Sequence, residues 1–278
     1  MLKSVNQWCF PAGTPLQELF EVSRKAGYDA VELNLYAPGN VGLTTDTTPG
    51  EADAIAKLAA EYGLQLKSVS TGLQGKTPMS SPDADVRAQG RAVVVKQLEI
   101  AERIGADSVL VVPGFVNAAT SYDDCYERSR NELEKLIPEA EKRGVKIAVE
   151  NVWNKFLLSP LEMKRYVDDL NSPNLGVYFD VGNIILYGFP QHWIRILGSR
   201  IFKVHVKDFK AAVGNGGGFV PLLAGDVNWP EVIAALREVG YDDTLTAEIG
   251  IYSTNPHQAV YDTANQLEAI INSVPRDR

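Results

Sequence analysis

Cysteine and histidine are scarce in this chain of 278 residues, with two of the first and three of the second. Cys9 and Cys125 stand alone and show no zinc-type spacing, so neither a disulfide framework nor a cysteine-ligated metal is expected. Long apolar runs are missing too. No segment approaches transmembrane length, and the opening MLKSVNQWCFPAG has no apolar signal core, so the expectation is a cytoplasmic protein without membrane association. Positive charge is in short supply: 27 Lys and Arg stand against 35 Asp and Glu, giving a net charge of −8 and a pI near 5.0. That balance argues against attraction to nucleic-acid phosphates. A small anionic substrate stays compatible with it, because a local pocket can be basic on an acidic protein. The phosphate-binding glycine turn of dinucleotide folds is also absent, since the first candidate strand runs into CFPAGTP with no GxGxxG.

What is present is a regular alternation. Hydrophobic content of 45% and charged content of 22% place the chain among globular proteins. Strand-like segments are expected at 3–9, 28–36, 64–73, 108–114, 146–152, 176–183, 201–209 and 244–250. Helical segments fall between and after them, from about 14 to 27, then 51–63, 85–105, 122–143, 159–170, 190–197, 229–239 and 256–273. Pro138 lies inside the fourth helix, which must tolerate it or bend there. Eight strand–helix units in about 250 residues is the count and size of a (β/α)₈ barrel. No linker-like change of composition divides the chain, so the expectation is an α/β fold, a single (β/α)₈ (TIM) barrel domain over 1–278. A doubly wound open sheet is the rival, and it rarely needs eight regular units.

Function in such a barrel collects at the C-terminal ends of the strands. The last four strands each carry one metal-binding residue type there: Glu150 in IAVEN, Asp180 in VYFDV, His205 in KVHVK and Glu248 in LTAEI. Taken singly, a strand-end carboxylate more often caps a helix, and a lone histidine is more often a hydrogen-bonded core residue. Four of them on four adjacent strands are harder to dismiss. Three buried carboxylates repel one another and are costly to desolvate unless a cation neutralises them. Three carboxylates and an imidazole form a mostly hard donor set, suited to Mn²⁺, Mg²⁺, Co²⁺ or Zn²⁺.

The order Glu, Asp, His, Glu on strands five to eight, with DVGN (Asp180–Asn183), HVKD (His205–Asp208) and AEI (Ala247–Ile249), resembles the xylose-isomerase-like sugar epimerase/isomerase superfamily. Within it, the chain is most similar to the ketose 3-epimerases and to the L-ribulose-5-phosphate 3-epimerase and hexulose-phosphate isomerase group. The resemblance covers essentially the whole chain. It implies that Glu150, Asp180, His205 and Glu248 bind one divalent metal, commonly Mn²⁺, and that Glu150 and Glu248 are the catalytic acid/base pair. It also implies a sugar or sugar-phosphate substrate, and often a homodimer or homotetramer. In the free-ketose 3-epimerases a histidine follows the metal-binding aspartate by three residues; Asn183 stands here, as in the pentulose-phosphate epimerases. Phe156 and Ala211 replace a glutamate and an arginine of the free-ketose enzymes.

Further substrate contacts are expected from Asn183, Lys207, Glu32, Asn151 and Trp153. Lys207 shares the parity of His205 and should point inward above the metal, to hold a phosphate or hydroxyl; a structural ion pair with Glu248 or Asp208 is the alternative. Glu32 resembles a glutamate often found on the superfamily's second strand, either touching substrate or supporting a ligand. Trp153 is as suited to packing the rim as to stacking on sugar. The glycine-rich stretch 211–228 lacks a GKS or GKT ending, so an active-site lid is expected rather than a phosphate loop. Three other functions share these features: a lyase or dehydratase acting on a keto-sugar or inosose, an apurinic endonuclease, and a non-enzymatic sugar-binding barrel. The endonuclease reading needs more histidines and less acidity than this chain has.

Overall fold

The computed structural model describes residues 1–275. Eight parallel strands form the barrel: β1 (Leu2–Asn6), β2 (Ala30–Tyr36), β3 (Gln65–Thr71), β4 (Ser108–Val111), β5 (Lys146–Glu150), β6 (Leu175–Asp180), β7 (Ile201–Val206) and β8 (Thr244–Ala247). Each pairs with the next, and β1 pairs with both β2 and β8, which closes the sheet and removes its edges. The helices α1 (Leu16–Ala26), α2 (Pro49–Glu61), α3 (Ala84–Ile104), α4 (Tyr122–Arg143), α5 (Pro160–Asp168), α6 (Pro190–Leu197), α7 (Trp229–Glu238) and α8 (Gln258–Ile271) follow the strands in turn. This is a single (β/α)₈ barrel. Among the described residues, no helix is long and apolar enough to cross a membrane.

Local chemistry sets the helix boundaries. Thr48 and Glu51 form a reciprocal capping box at the start of α2, and Ser121, Ser159 and Asn228 each accept a backbone N–H at the starts of α4, α5 and α7. Pro138 is carried inside a continuous α4. The clearest departure from expectation is at β1, which stops at Asn6 rather than continuing to Cys9. Asn6 Oδ1 accepts the Trp8 N–H at 2.7 Å, and this side-chain bond turns Gln7–Cys9 into a short 3₁₀ turn.

The apolar strand residues point mostly outwards. Val5, Val31, Leu33, Val149, Phe179 and Val204 join the main core, which lies between the barrel and its helices. Inside the barrel, Leu110, Ala148 and Tyr178 form a small apolar cluster, and the buried polar residues include Asn6, Glu32, Asn34, Ser68, Ser70 and His205. Those groups need partners in the interior, and they find them in one another.

Candidate metal centre and active site

Asp180 and His205 are register partners at the ends of β6 and β7. Glu150 closes β5, and Glu248 follows the last residue of β8, its N–H donating to the Val206 carbonyl at 3.2 Å. The four side chains can each offer one ligand atom such that all four atoms lie within 4.8 Å of one another. Glu150, Asp180 and His205 are buried, and Glu248 is partly exposed towards the barrel mouth. Glu150 Oε1 and Glu248 Oε2 are each 3.1 Å from His205 Nδ1.

The imidazole is fixed from below. Its Nε2 lies 2.6 Å from Glu32 Oε1, and Glu32 also accepts from Asn6 Nδ2 at 2.6 Å, Ser68 Oγ at 2.5 Å and the Tyr178 hydroxyl at 2.7 Å. Glu32 takes the Nε2–H and leaves Nδ1 on the side of the three carboxylates, the nitrogen a neutral imidazole would offer to a cation there, as metal-ligating histidines held by a carboxylate do. Burial alone would lower the His205 pKa, but the surrounding carboxylates, Glu32 first, hold it well above its usual value. Burial likewise opposes ionisation of Glu32, yet His205, Ser68 and Tyr178 keep its carboxyl below the ordinary range.

The two glutamates are pushed apart. Burial raises Glu150, only partly offset by His205 and Lys207. Burial would raise Glu248 too, but the nearer Lys207 ammonium and His205 bring it below the usual range. Lys207 Nζ is 2.9 Å from Asp180 Oδ2 and 3.0 Å from Glu248 Oε2. Its main chain passes so close to the turn after β6 that a Cβ on Gly182 would sit 2.5 Å from Lys207 Cβ and 2.9 Å from its carbonyl oxygen. Only glycine permits that approach.

Asp180 Oδ2 is buried and accepts no hydrogen bond among the described residues, although the Lys207 ammonium ion-pairs with it. A carboxylate oxygen so placed, amid two more carboxylates and an imidazole nitrogen, fits a divalent cation: the donors are hard, mutually close and otherwise under-neutralised.

The other expected site residues are placed as follows. Asn151 brackets the Asp180 backbone, donating to its carbonyl and accepting its N–H, both at 2.8 Å. The Asn183 N–H donates to Asp180 Oδ1 at 2.9 Å, and its amide donates to the Asn151 carbonyl at 2.9 Å. Both amides are thus engaged in shaping the turn that carries Asp180. Trp153 donates to the Asn183 carbonyl at 2.9 Å and packs against Phe209 and Phe219 at the rim. Glu32 lies under His205, fully buried. Lys207, Glu248, Trp8, Phe219, Ile249 and Tyr252 line a cavity of about 490 Å³ at the barrel mouth, a volume suited to a small molecule. Phe219 belongs to the stretch expected as a lid; Phe219–Val220 pairs antiparallel with Asp208–Phe209 beside the site.

Sequence reasoning missed Asn6, Trp8, Cys9, Ser68 and Tyr178. Part of their signal was available: Glu32 and Asn34 are polar residues at alternate positions of an otherwise apolar strand, and Ser68 and Ser70 alternate with Val69 in the next. Cys9 left no such trace. Its sulfur is 3.2 Å from the Ala247 carbonyl oxygen and 3.3 Å from the Ile249 nitrogen, and burial pushes the thiol up to about 12, so it keeps its proton.

Comparison with known proteins agrees with this geometry. The family model described as xylose isomerase-like TIM barrel matches residues 20–270. An L-ribulose-5-phosphate 3-epimerase UlaE of Salmonella paratyphi C (strain RKS4594) is 26% identical over 238 residues, covering 85% of this chain and 83% of that protein. The crystal structure of D-psicose 3-epimerase in the presence of D-fructose has a TM-score of 0.81 at 18% identity, covering 96% of this chain and 97% of that one. The structure of L-ribulose 3-epimerase has a TM-score of 0.81 at 19% identity, covering 100% and 99%. At these identities the two structures show a shared fold. With its match over most of the length and a buried Glu/Asp/His/Glu group at the strand ends, the chain belongs to the xylose isomerase-like TIM barrel family.

Proposed function

We propose that this protein is a divalent-metal-dependent epimerase or isomerase of a keto-sugar or its phosphate, inverting a centre next to the carbonyl by proton removal and return. One observation carries the reading. Glu150 and Glu248 enter from β5 and from the end of β8, with β6 and β7 between them, yet both reach the same imidazole nitrogen at 3.1 Å. Two carboxylates converging on one point from different sides are what inversion requires, since the proton leaves one face and returns to the other.

Glu150, Asp180, His205 and Glu248 are the residues that would hold the cation, with Mn²⁺ the first candidate for so hard a donor set. A cation there supplies positive charge that stabilises the enediolate left when an α-proton is removed. The rest of the work falls to the chain. Glu32 keeps Nδ1 of His205 turned to the ligand cluster. Asn151 and Asn183 fix the turn that presents Asp180. Lys207 contributes a cation at the cavity wall, able to meet a substrate hydroxyl or an anionic group, while Trp8, Phe219 and Trp153 form the aromatic rim.

The likeness to L-ribulose-5-phosphate 3-epimerases supports this reading at the level of reaction and leaves the sugar open. A panel of ketoses and ketose phosphates in D₂O with Mn²⁺, followed by NMR, tests it. Exchange of one α C–H together with appearance of the epimer is expected for at least one sugar. Loss of water from the substrate would instead indicate elimination, and binding without exchange on every sugar would overturn catalysis.

A further inference from the structure

Glu248 is the least enclosed of the four cluster residues, and it lies beyond the last residue of its strand. Pairing between β8 and β1 ends at Ala247 and Val5. On its other side, the main chain of Glu248 is tied by its N–H to the Val206 carbonyl, and its carboxylate meets Lys207 and His205. The β1 chain has by then turned away, because Asn6 folds Gln7–Cys9 into a 3₁₀ turn. What meets the two peptides flanking Glu248 on the β1 side is a side chain. The Cys9 thiol donates to the Ala247 carbonyl at 3.2 Å, and its sulfur accepts the Ile249 N–H at 3.3 Å.

We propose that Cys9 is a positioning residue for Glu248: its thiol clamps the peptide on each side of the glutamate where the β-ladder has ended, and so fixes the direction in which the carboxylate enters the site. A thiol suits the task because it is both donor and acceptor, and its side chain is fully buried. Without it, the Ala247 carbonyl and Ile249 N–H lose those partners, and the segment leading to Gly250 and Ile251 is free to reorient. The turn that carries Cys9 thereby serves the site at two points. At its start Asn6 holds Glu32 and through it His205; at its end Cys9 holds the backbone of Glu248. Its middle residue, Trp8, lines the cavity.

The proposal rests on Glu248 being a ligand and proton-transfer group, and the test is chosen to separate the two claims. Cys9→Val fills the space but neither donates nor accepts, whereas Cys9→Ser keeps both functions. In Cys9→Val, the Ile249 amide should exchange with D₂O about tenfold faster, the factor expected for one lost hydrogen bond. Mn²⁺ affinity by calorimetry and the proton-exchange rate should each fall by about tenfold or more, as for other residues that orient a ligand, with KM little changed. Cys9→Ser should recover most of each loss. If Cys9→Val unfolds, Cys9→Ala takes its place.

Unaltered Ile249 exchange in the apolar variant overturns the clamp. So does a serine variant as impaired as the valine one, which would show that packing, not hydrogen bonding, was lost. A wild-type protein that neither binds Mn²⁺ nor exchanges a sugar proton strikes the proposed function instead, and the Ile249 amide still judges the clamp by itself.

Discussion

Glu32 Oε1 lies 2.6 Å from His205 Nε2, although the two residues are far apart in sequence and both are fully buried. The contact is possible because β2 and β7, with β1 and β8 between them in the closed sheet, both turn these side chains into a barrel whose interior here is polar. It decides which imidazole nitrogen is left for a metal. Glu32→Gln should therefore weaken Mn²⁺ binding by about 10- to 100-fold, roughly 1.4–2.7 kcal/mol, through loss of the orienting charge. Titration calorimetry with Mn²⁺ checks this; affinity equal to wild type would remove Glu32 from the support of His205.

The two glutamates should behave differently from Glu32. Glu150→Gln and Glu248→Gln each remove a group placed to move a proton while nearly preserving side-chain shape. Solvent exchange of the substrate α-proton should fall by at least about 10²-fold in either variant. Circular dichroism should still report a folded barrel. Full exchange activity in one of them would show that the proton travels through another group.

The cluster also couples metal to stability. Mn²⁺ at about 100 times its Kd should add about 2.7 kcal/mol, a rise in Tm of about 5 °C for a chain of this size. Binding needs three ionised carboxylates and a neutral imidazole, so the shift should shrink as pH falls, and a chelator should reverse it. Differential scanning calorimetry at several pH values measures it. A Tm indifferent to Mn²⁺ at neutral pH would contradict the metal site.

Much of this was legible before the structure. Eight strands declared themselves by β-branched runs between helix signals, and Glu150, Asp180, His205 and Glu248 stood out because each follows an apolar run at a strand end. The first strand misled because Gln7, Trp8 and Cys9 continue a plausible alternation, with no glycine or proline until Pro11. Nothing local announces that the Asn6 side chain will capture the Trp8 N–H. The polar partners of Glu32 were hidden for another reason. Ser68 and Tyr178 are ordinary strand residues, and only closure of the barrel brings β3 and β6 to the same carboxylate.

The opposite end of the barrel makes a different prediction. Lys203, on β7 near its start, is buried, and its ammonium is 2.8 Å from Asp107 Oδ1 and 2.5 Å from Asp243 Oδ2, while Lys67 lies 3.1 Å from Asp107 Oδ2. Burial would raise the Asp107 pKa, but Lys203 and then Lys67 bring it below the usual carboxylate value. A depressed folded-state pKa means stability that is present above the unfolded-state value and lost as pH falls through the folded one. Lys203→Met removes the buried ammonium and leaves two aspartates facing Lys67. The expected cost at neutral pH is about 2–3 kcal/mol, less than for a wholly buried pair because both aspartates reach solvent. Since the variant has less of this contribution to lose, the gap between the two proteins should narrow as pH falls below the aspartate range. Urea unfolding at neutral pH and again in acid measures both quantities. An equal difference at the two pH values would show that Lys203 stabilises the barrel floor by packing rather than by charge.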